Sequence, residues 1–176
     1  AIILIDIDDF KWINDTFGHT YGDDFLIDFV RKLQDTVNYY GVISRFSGDE
    51  FVCLINFQDD ISELNNIIDK IKYAFKAPLR IKKDQLLVKF SSGISIYPDD
   101  ETTGELLIRD AALAMGIAKN HEISDTEYYN NSLHKAVLNK SVISQKLKNA
   151  LDNGEFHLDY QPIISTSTRK IHGFEV

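Results

Sequence analysis

Ala1-Ile2-Ile3-Leu4-Ile5-Asp6-Ile7-Asp8-Asp9-Phe10-Lys11 opens the chain, and Arg45-Phe46-Ser47-Gly48-Asp49-Glu50-Phe51 follows further on. The first stretch is a continuous, β-branched apolar run that ends on a carboxylate, the pattern of a buried strand over residues 1–7. The second joins two apolar runs, 42–46 and 50–57, through Ser47-Gly48-Asp49, which predicts a hairpin with adjacent carboxylates at its turn. Brought together, Asp6, the Ile7 carbonyl and Asp49 or Glu50 form a small oxygen-ligand site suited to Mg²⁺ and a nucleoside triphosphate. A metal there would polarise a phosphorus atom and lower the pKa of an attacking hydroxyl. Each motif alone has a plainer reading: Asp6, Asp8 and Asp9 can cap the next helix, and Gly-Asp-Glu can be only a turn. Their joint occurrence favours the site.

Outward from these motifs, the periodicity predicts helices over 9–17, with Phe10, Ile13 and Phe17 on one face, and over 22–38, with Phe25, Leu26, Phe29, Val30 and Leu33 on one face. Gly18 can end the first of them. A third amphipathic helix is predicted over 61–76 and a fourth over 104–119. Between them, 79–82 and 86–97 read as a second hairpin around Lys83-Asp84, and 126–129 as a short edge strand. Hairpins require antiparallel pairs, which excludes an all-parallel doubly wound sheet. A mixed or antiparallel sheet carrying helices is the expectation. After about residue 130 the composition changes. Residues 132–151 read as one lysine-bearing helix stopped by Asn153-Gly154, and 156–160 and 169–176 as two strand-like runs.

The chain has 176 residues, 44% of them hydrophobic, and a formal charge of −8. That length suits one domain and a piece of a second. An acidic chain gains little from phosphate-backbone contacts, so broad nucleic-acid binding is disfavoured, whereas one nucleotide held through a divalent ion is compatible. Cys53 is the only cysteine, which excludes an internal disulfide and a cysteine-rich zinc site, and it reads as a buried small hydrophobe. No run reaches the length of a membrane span and no signal peptide is visible. The expectation is a cytoplasmic fragment without membrane contact of its own, cut at both ends, whose missing upstream part could carry a sensor or a membrane tether.

Lys11 and Asn14 stand three apart on the first short helix, on one exposed face. Lys11 can reach a phosphate, and Asn14 can offer a donor and an acceptor to a base edge. Gly18-His19-Thr20-Tyr21-Gly22-Asp23 reads as a polar turn in which Asp23 can accept from two adjacent N–H donors, an edge that guanine has and adenine lacks. A solvated lysine, a helix-end Asn and an N-cap Asp are the plainer readings of the same residues.

Asp6 to Lys11, Asn14-Asp15-Thr16-Phe17-Gly18-His19, Gly22-Asp23 and Arg45 to Phe51 together resemble the GGDEF domain of diguanylate cyclases, over residues 1 to about 130 and without that domain's first helix and strand segment. The resemblance implies a palm-like, ferredoxin-like α/β sandwich with a mixed, largely antiparallel sheet. It implies condensation of two GTP into cyclic di-GMP with Mg²⁺ (or Mn²⁺), each of two facing domains holding one GTP. By the same resemblance Asp6, Ile7, Asp49 and Glu50 bind the metal, Asp49 is the base, and Glu50 assists. Phe10, Lys11, Asn14, His19, Asp23 and Lys119 then hold phosphates, guanine or ribose. The tail is similar to the opening of an EAL phosphodiesterase domain, with 131–153 as linker helix and 154–176 as its truncated start. There Glu175 is implied as a metal ligand and Gln161 as a substrate contact, and an EAL domain becomes the adjacent partner.

Three departures accompany the resemblance. Ser47 replaces the first glycine of the motif, a position where positive φ is common. Met115-Gly116-Ile117 replaces an aromatic stretch, and Ile123 stands where a second phosphate-binding cation is expected. Asn38-Tyr39-Tyr40-Gly41 lacks both charges of the Arg-x-x-Asp product site, which predicts no feedback inhibition there. The competing functional reading is a GTP-binding module, weak or inactive as a catalyst, that regulates the adjacent phosphodiesterase.

Overall fold

The computed structural model describes residues 1–58, 60–120, 125–130, 143–144, 146–147, 149–150 and 153–176. The chain divides into two units, Ala1–His134 and Lys135–Val176. In the first, β1 (Ile2–Ile7), α1 (Phe10–Phe17), α2 (His19–Val37), β2 (Gly41–Ser47), β3 (Glu50–Ile55) and α3 (Ile61–Phe75) are followed by β4 (Leu79–Ile81), β5 (Asp84–Leu86), β6 (Phe90–Ser95), α4 (Gly104–Ala118) and β7 (Thr126–Tyr128). The main sheet has the order β2-β3-β1-β6-β7, antiparallel except where β7 joins β6 in parallel. This is the expected mixed, largely antiparallel sheet flanked by helices. Among the described residues no helix is long and apolar enough to cross a membrane.

β1 lies mid-sheet and all six of its residues are buried. Side chains alternate between the two faces of a strand. Ile3, Ile5 and Ile7 accordingly join the large core with Phe25, Phe29 and Leu33 of α2 and Leu64 and Ile71 of α3. Ile2 and Leu4 face the other way, against Leu107, Ala111 and Met115 of α4. Each such buried aliphatic side chain contributes roughly 1.5–3 kcal/mol. By the same alternation Asp6 falls on the α4 face. Cys53 is buried in the larger core, and burial pushes its thiol up to about 12, so it acts as an inert small hydrophobe.

The structure departs from the sequence reading in four places. First, α2 begins at His19, not 22. Gly18 (φ 86°) caps α1 through its N–H on the Asn14 carbonyl, and its own carbonyl accepts from Tyr21 and Gly22. One glycine thus ends one helix and starts the next, which places Gly22 and Asp23 in a helix rather than a turn. Second, the run 86–97 divides. β5 pairs only with β4 in a small separate hairpin, whereas β6 belongs to the main sheet on β1. Third, Ser47 is the last residue of β2 and not part of the turn, which is Gly48-Asp49, while β3 begins at Glu50 as expected. Fourth, in the second unit 156–160 forms no strand. The strands there are β8 (Gln161–Ile164) and β9 (Ile171–Glu175), an antiparallel pair. Most of the expected helix 132–151 lies outside the described residues, and its described positions are helical. Asn153 and Glu155 donate to the Asn149 and Ala150 carbonyls around Gly154 (φ 68°), which ends that helix as expected.

α4 rests directly on β6 at Gly93, where a Cβ would lie 1.9 Å from the Ala111 carbonyl oxygen and 2.3 Å from the Met115 nitrogen. Both are backbone atoms of one helix, so a side chain at 93 must push α4 off the sheet. Gly93→Ala is therefore expected to destabilise the domain by about 1–3 kcal/mol, read as a lowered urea midpoint with the slope retained.

Candidate functional site

The end of β1, the β2–β3 turn and the end of α4 converge. Asp6 pairs with Glu50 across the β1–β3 ladder, so the two carboxylates share one face. The Ile7 N–H donates to the Asp49 carbonyl at 3.3 Å, which ties the strand end to the turn. The turn is shaped by Gly48 (φ 47°), whose carbonyl accepts from Arg45 Nε at 2.8 Å, and by a bulge between Arg45 and Ser47. The non-glycine residues with positive φ among those described are Asp9, Lys82 and Arg169. Ser47 is outside that region, so serine sits there without backbone strain and Gly48 alone takes the left-handed conformation.

Asp6 is only 5% exposed, and its Oδ1 accepts from Lys119 Nζ at 2.7 Å. Lys119 is the C-cap of α4, placed there by the Gly93 contact. Burial raises the carboxyl of Asp6 above its ordinary value, against the pull of Lys119; the charges of Asp49 and Asp8 raise it further. Burial also raises Glu50, together with the charges of Asp6 and Asp49. Three acids that repel one another, one of them already drawing an ammonium, make a site that favours added positive charge. Among the described residues no three His, Cys, Asp or Glu side chains converge as a ready-made metal cage. The donors present, Asp6 with Asp49 or Glu50 beside it, fit a hard divalent cation that takes one or two carboxylates and draws its remaining oxygens from a phosphate ligand and water.

A cleft of about 1020 Å³ opens beside these groups, lined by Asp6, Ile7, Phe10, Lys11, Asp49 and Lys119 among others. Asn14, His19, Asp23 and Glu50 are not part of its lining. Asn14 packs over α2 instead: a Cβ on Gly22 would meet Asn14 Oδ1 at 2.0 Å and Phe10 at 3.3 Å. That brings Asn14 beside the residue preceding Asp23. His19 and Asp23 are exposed on α2, and Lys11 is exposed on α1. The helix-capping reading of the aspartates holds in position only for Asp9, which occupies the N-cap of α1 without a side-chain bond, while Asp8 accepts from Ser91 Oγ at 2.9 Å. Ile123 lies outside the described residues, and Met115 is a buried contact of α4.

Sequence reasoning did not single out Lys72, Lys76 and Lys89, which also line the cleft. Lys72 and Lys76, four apart at the end of α3, look from the sequence like a solvated helix face. Only the pairing of β6 with β1 carries Lys89 to the site. In the second unit Gln161 and Glu175 stand opposite each other on the β8–β9 ladder and line one shallow concavity.

A carboxyl whose pKa is higher in the folded than in the unfolded chain keeps its proton longer when folded. Folding stability then falls as the pH rises from the ordinary values of 3.8 for Asp6 and 4.5 for Glu50 through the raised ones, and stays lower above them. In buffer free of divalent cations, Asp6→Asn is expected to remove its share of that fall. Urea midpoints followed from about pH 4 to neutrality should shift in favour of the variant, and parallel curves for the two proteins would contradict the raised carboxyl.

The profile of the family described as "Diguanylate cyclase, GGDEF domain" matches residues 1–124. The chain is 34% identical over 176 residues to the signaling protein YkoW of Bacillus subtilis, covering 99% of this chain and 22% of that protein. It is 28% identical over 175 residues to the cyclic di-GMP phosphodiesterase NbdA of Pseudomonas aeruginosa, covering 99% of this chain and 22% of that one. The chain thus spans about a fifth of the length of these curated relatives. The crystal structure of the GGDEF domain of PA1120 (YfiN or TpbB) from Pseudomonas aeruginosa matches with a TM-score of 0.69 at 29% identity, over 73% of this chain and 81% of that one. That family generally uses divalent metal ions. With the family's motif lying along β1 and the β2–β3 turn and its profile spanning most of the sequence, the chain belongs to the GGDEF-domain family of diguanylate cyclases.

Proposed function

We propose that the first unit binds GTP with Mg²⁺ or Mn²⁺ and condenses two GTP into cyclic di-GMP across a transient pair of GGDEF domains. The observation that carries this reading is the buried Asp6, opposite Glu50, tied to the Asp49 turn and paired with Lys119 at 2.7 Å. Asp6, the Ile7 carbonyl and Asp49 would hold the cation, with Glu50 assisting from beside them, and the cation when bound would draw charge from the α-phosphate. Lys119 exchanges its contact with Asp6 for the phosphates. Lys11 and the backbone at Phe10 steady the same chain of phosphates. Asn14 and Asp23 read the guanine edge, with His19 beside them at the start of α2. Asp49 takes the proton of the attacking 3′-hydroxyl. The oxygen of that hydroxyl forms the new bond to the α-phosphorus of the GTP held by the facing domain, and the bond from that phosphorus to pyrophosphate breaks. Repeating the step in the opposite sense closes the ring.

The tail supports a second reading. The match to NbdA, a phosphodiesterase, runs across 99% of this chain, beyond the GGDEF profile. Residues 154–176 are then the start of an EAL domain, with Gln161 and Glu175 in its site, and the first unit is a GTP-binding module that regulates it. In that reading occupancy by GTP, not turnover, couples to the neighbour.

Incubation with GTP and Mg²⁺ followed by chromatography separates the two. Cyclic di-GMP is expected, and Asp49→Ala is expected to lower its formation roughly 10²-fold or more. Bound GTP without product would support the regulatory reading, and calorimetry with a nonhydrolysable GTP analogue that shows no binding would sink both. Product inhibition gives an independent check. Asn38 caps α2, and Gly41 presses on the Leu54 carbonyl, so neither position offers a charge to a bound product. Initial rates are expected to be insensitive to added cyclic di-GMP, and noncompetitive inhibition would contradict this.

A further inference from the structure

Antiparallel partners direct their side chains to the same side of a sheet, and that side alternates along each strand. Asp6 pairs with Ser91, and Ile7 with Phe90. The Asp8 N–H then donates to the Lys89 carbonyl at 3.0 Å, extending the pairing by one residue. The hydrogen bond of Ser91 Oγ to Asp8 Oδ1 links two residues of the Asp6 side directly. Lys89 therefore stands across from Asp8, on the side of the sheet that carries Asp6 and, from α4, Lys119.

The cleft is lined by five lysines and five aspartates, so it has no net charge of its own. Its cations are not equivalent. Lys119 is engaged by Asp6, and Lys72 by Asp125 at 2.6 Å. Lys76 lies over the Tyr73 ring at 5.7 Å. Lys11 and Lys89 are exposed, and among the described residues no carboxylate or ring pairs with either; of these two, Lys89 has its backbone fixed by Asp8 at the end of a sheet strand. An ammonium anchored at its base and unneutralised at its tip is suited to an anion that enters the cleft. Two strand residues span about 7 Å, so Lys89 lies roughly that far along the sheet from the Asp6–Lys119 pair. Two ammonium groups so spaced suit opposite ends of one polyphosphate.

We infer that Lys89 is a polyphosphate-binding residue of this cleft, holding the terminal phosphates of a nucleoside triphosphate whose α-phosphate lies beside Asp6. The inference rests on the GTP reading for the nucleoside but not for the phosphate chain. Lysine acts here as a point charge, so arginine should replace it and alanine should not.

Calorimetric titration of the 176-residue chain with GTP, guanosine and inorganic tripolyphosphate, each with Mg²⁺, tests it. Lys89→Ala is expected to weaken GTP and tripolyphosphate about tenfold or more and to leave guanosine unchanged, with Lys89→Arg restoring most of the loss. Lys83→Ala removes an exposed lysine outside the cleft lining and is expected to change GTP binding less than about twofold. Equal GTP affinity in wild type and Lys89→Ala overturns the inference, as does a loss for guanosine as large as that for GTP. Tripolyphosphate binding that depends on Lys89, without GTP binding, supports the inference while the nucleotide reading fails. A wild-type chain that binds neither overturns both.

Discussion

The structure depends on one strand that is buried on both sides and ends in a charge. β1 contributes Ile3, Ile5 and Ile7 to one core and Ile2 and Leu4 to the other, and its place mid-sheet leaves no edge exposed. Strand alternation then decides where Asp6 must point, toward α4, where almost no water reaches it. A carboxylate in that position is unfavourable unless a cation meets it. Lys119 does so in the isolated chain, and the surrounding acids leave room for a stronger cation to take its place. The pull of this site on positive charge is thus a consequence of where the hydrophobic strand stops.

Three contacts hold that arrangement. The β1–β3 ladder sets Glu50 opposite Asp6. The backbone bond from Ile7 to Asp49 fixes the turn. Gly93 lets α4 settle on β6, so that Lys119 at its C-cap reaches Asp6. None of the three uses a functional side chain, so the acids can be replaced singly with limited risk to the fold. In the second unit, by itself, one hairpin register sets Gln161 opposite Glu175.

Much of this was legible from residue patterns. The opening apolar run, the glycine-centred turn and the helical stripes of α2 and α3 carry strong periodic signals, and the structure has them where they were expected. The misreadings share a cause: local signals were taken as sufficient where long-range pairing decides. Gly18 looked like a stop followed by a loop, but its two hydrogen-bonding groups serve two helices. The run 86–97 looked like one strand, but only Leu86 pairs with β4, and Phe90–Ser95 joins the main sheet on β1. Lys89 carried no signal at all, because its place beside Asp8 exists only through the β1–β6 register. The roles of Asn14 and Asp23 were read from donor and acceptor chemistry and that of His19 from resemblance, and the structure adds that Asn14 and Gly22 pack together.

Two of the tightly packed glycines, Gly93 and Gly22, have opposite consequences. At 93 an added methyl group would strike helix backbone, which cannot yield without moving α4. At 22 it would strike the tip of the Asn14 side chain, which can rotate away. Alanine is the better helix former by about 1 kcal/mol, so a screen that scores folded yield would accept it at position 22. It would do so while turning the Asn14 amide out of its orientation, so a variant could pass as healthy and have lost its grip on whatever that amide reads.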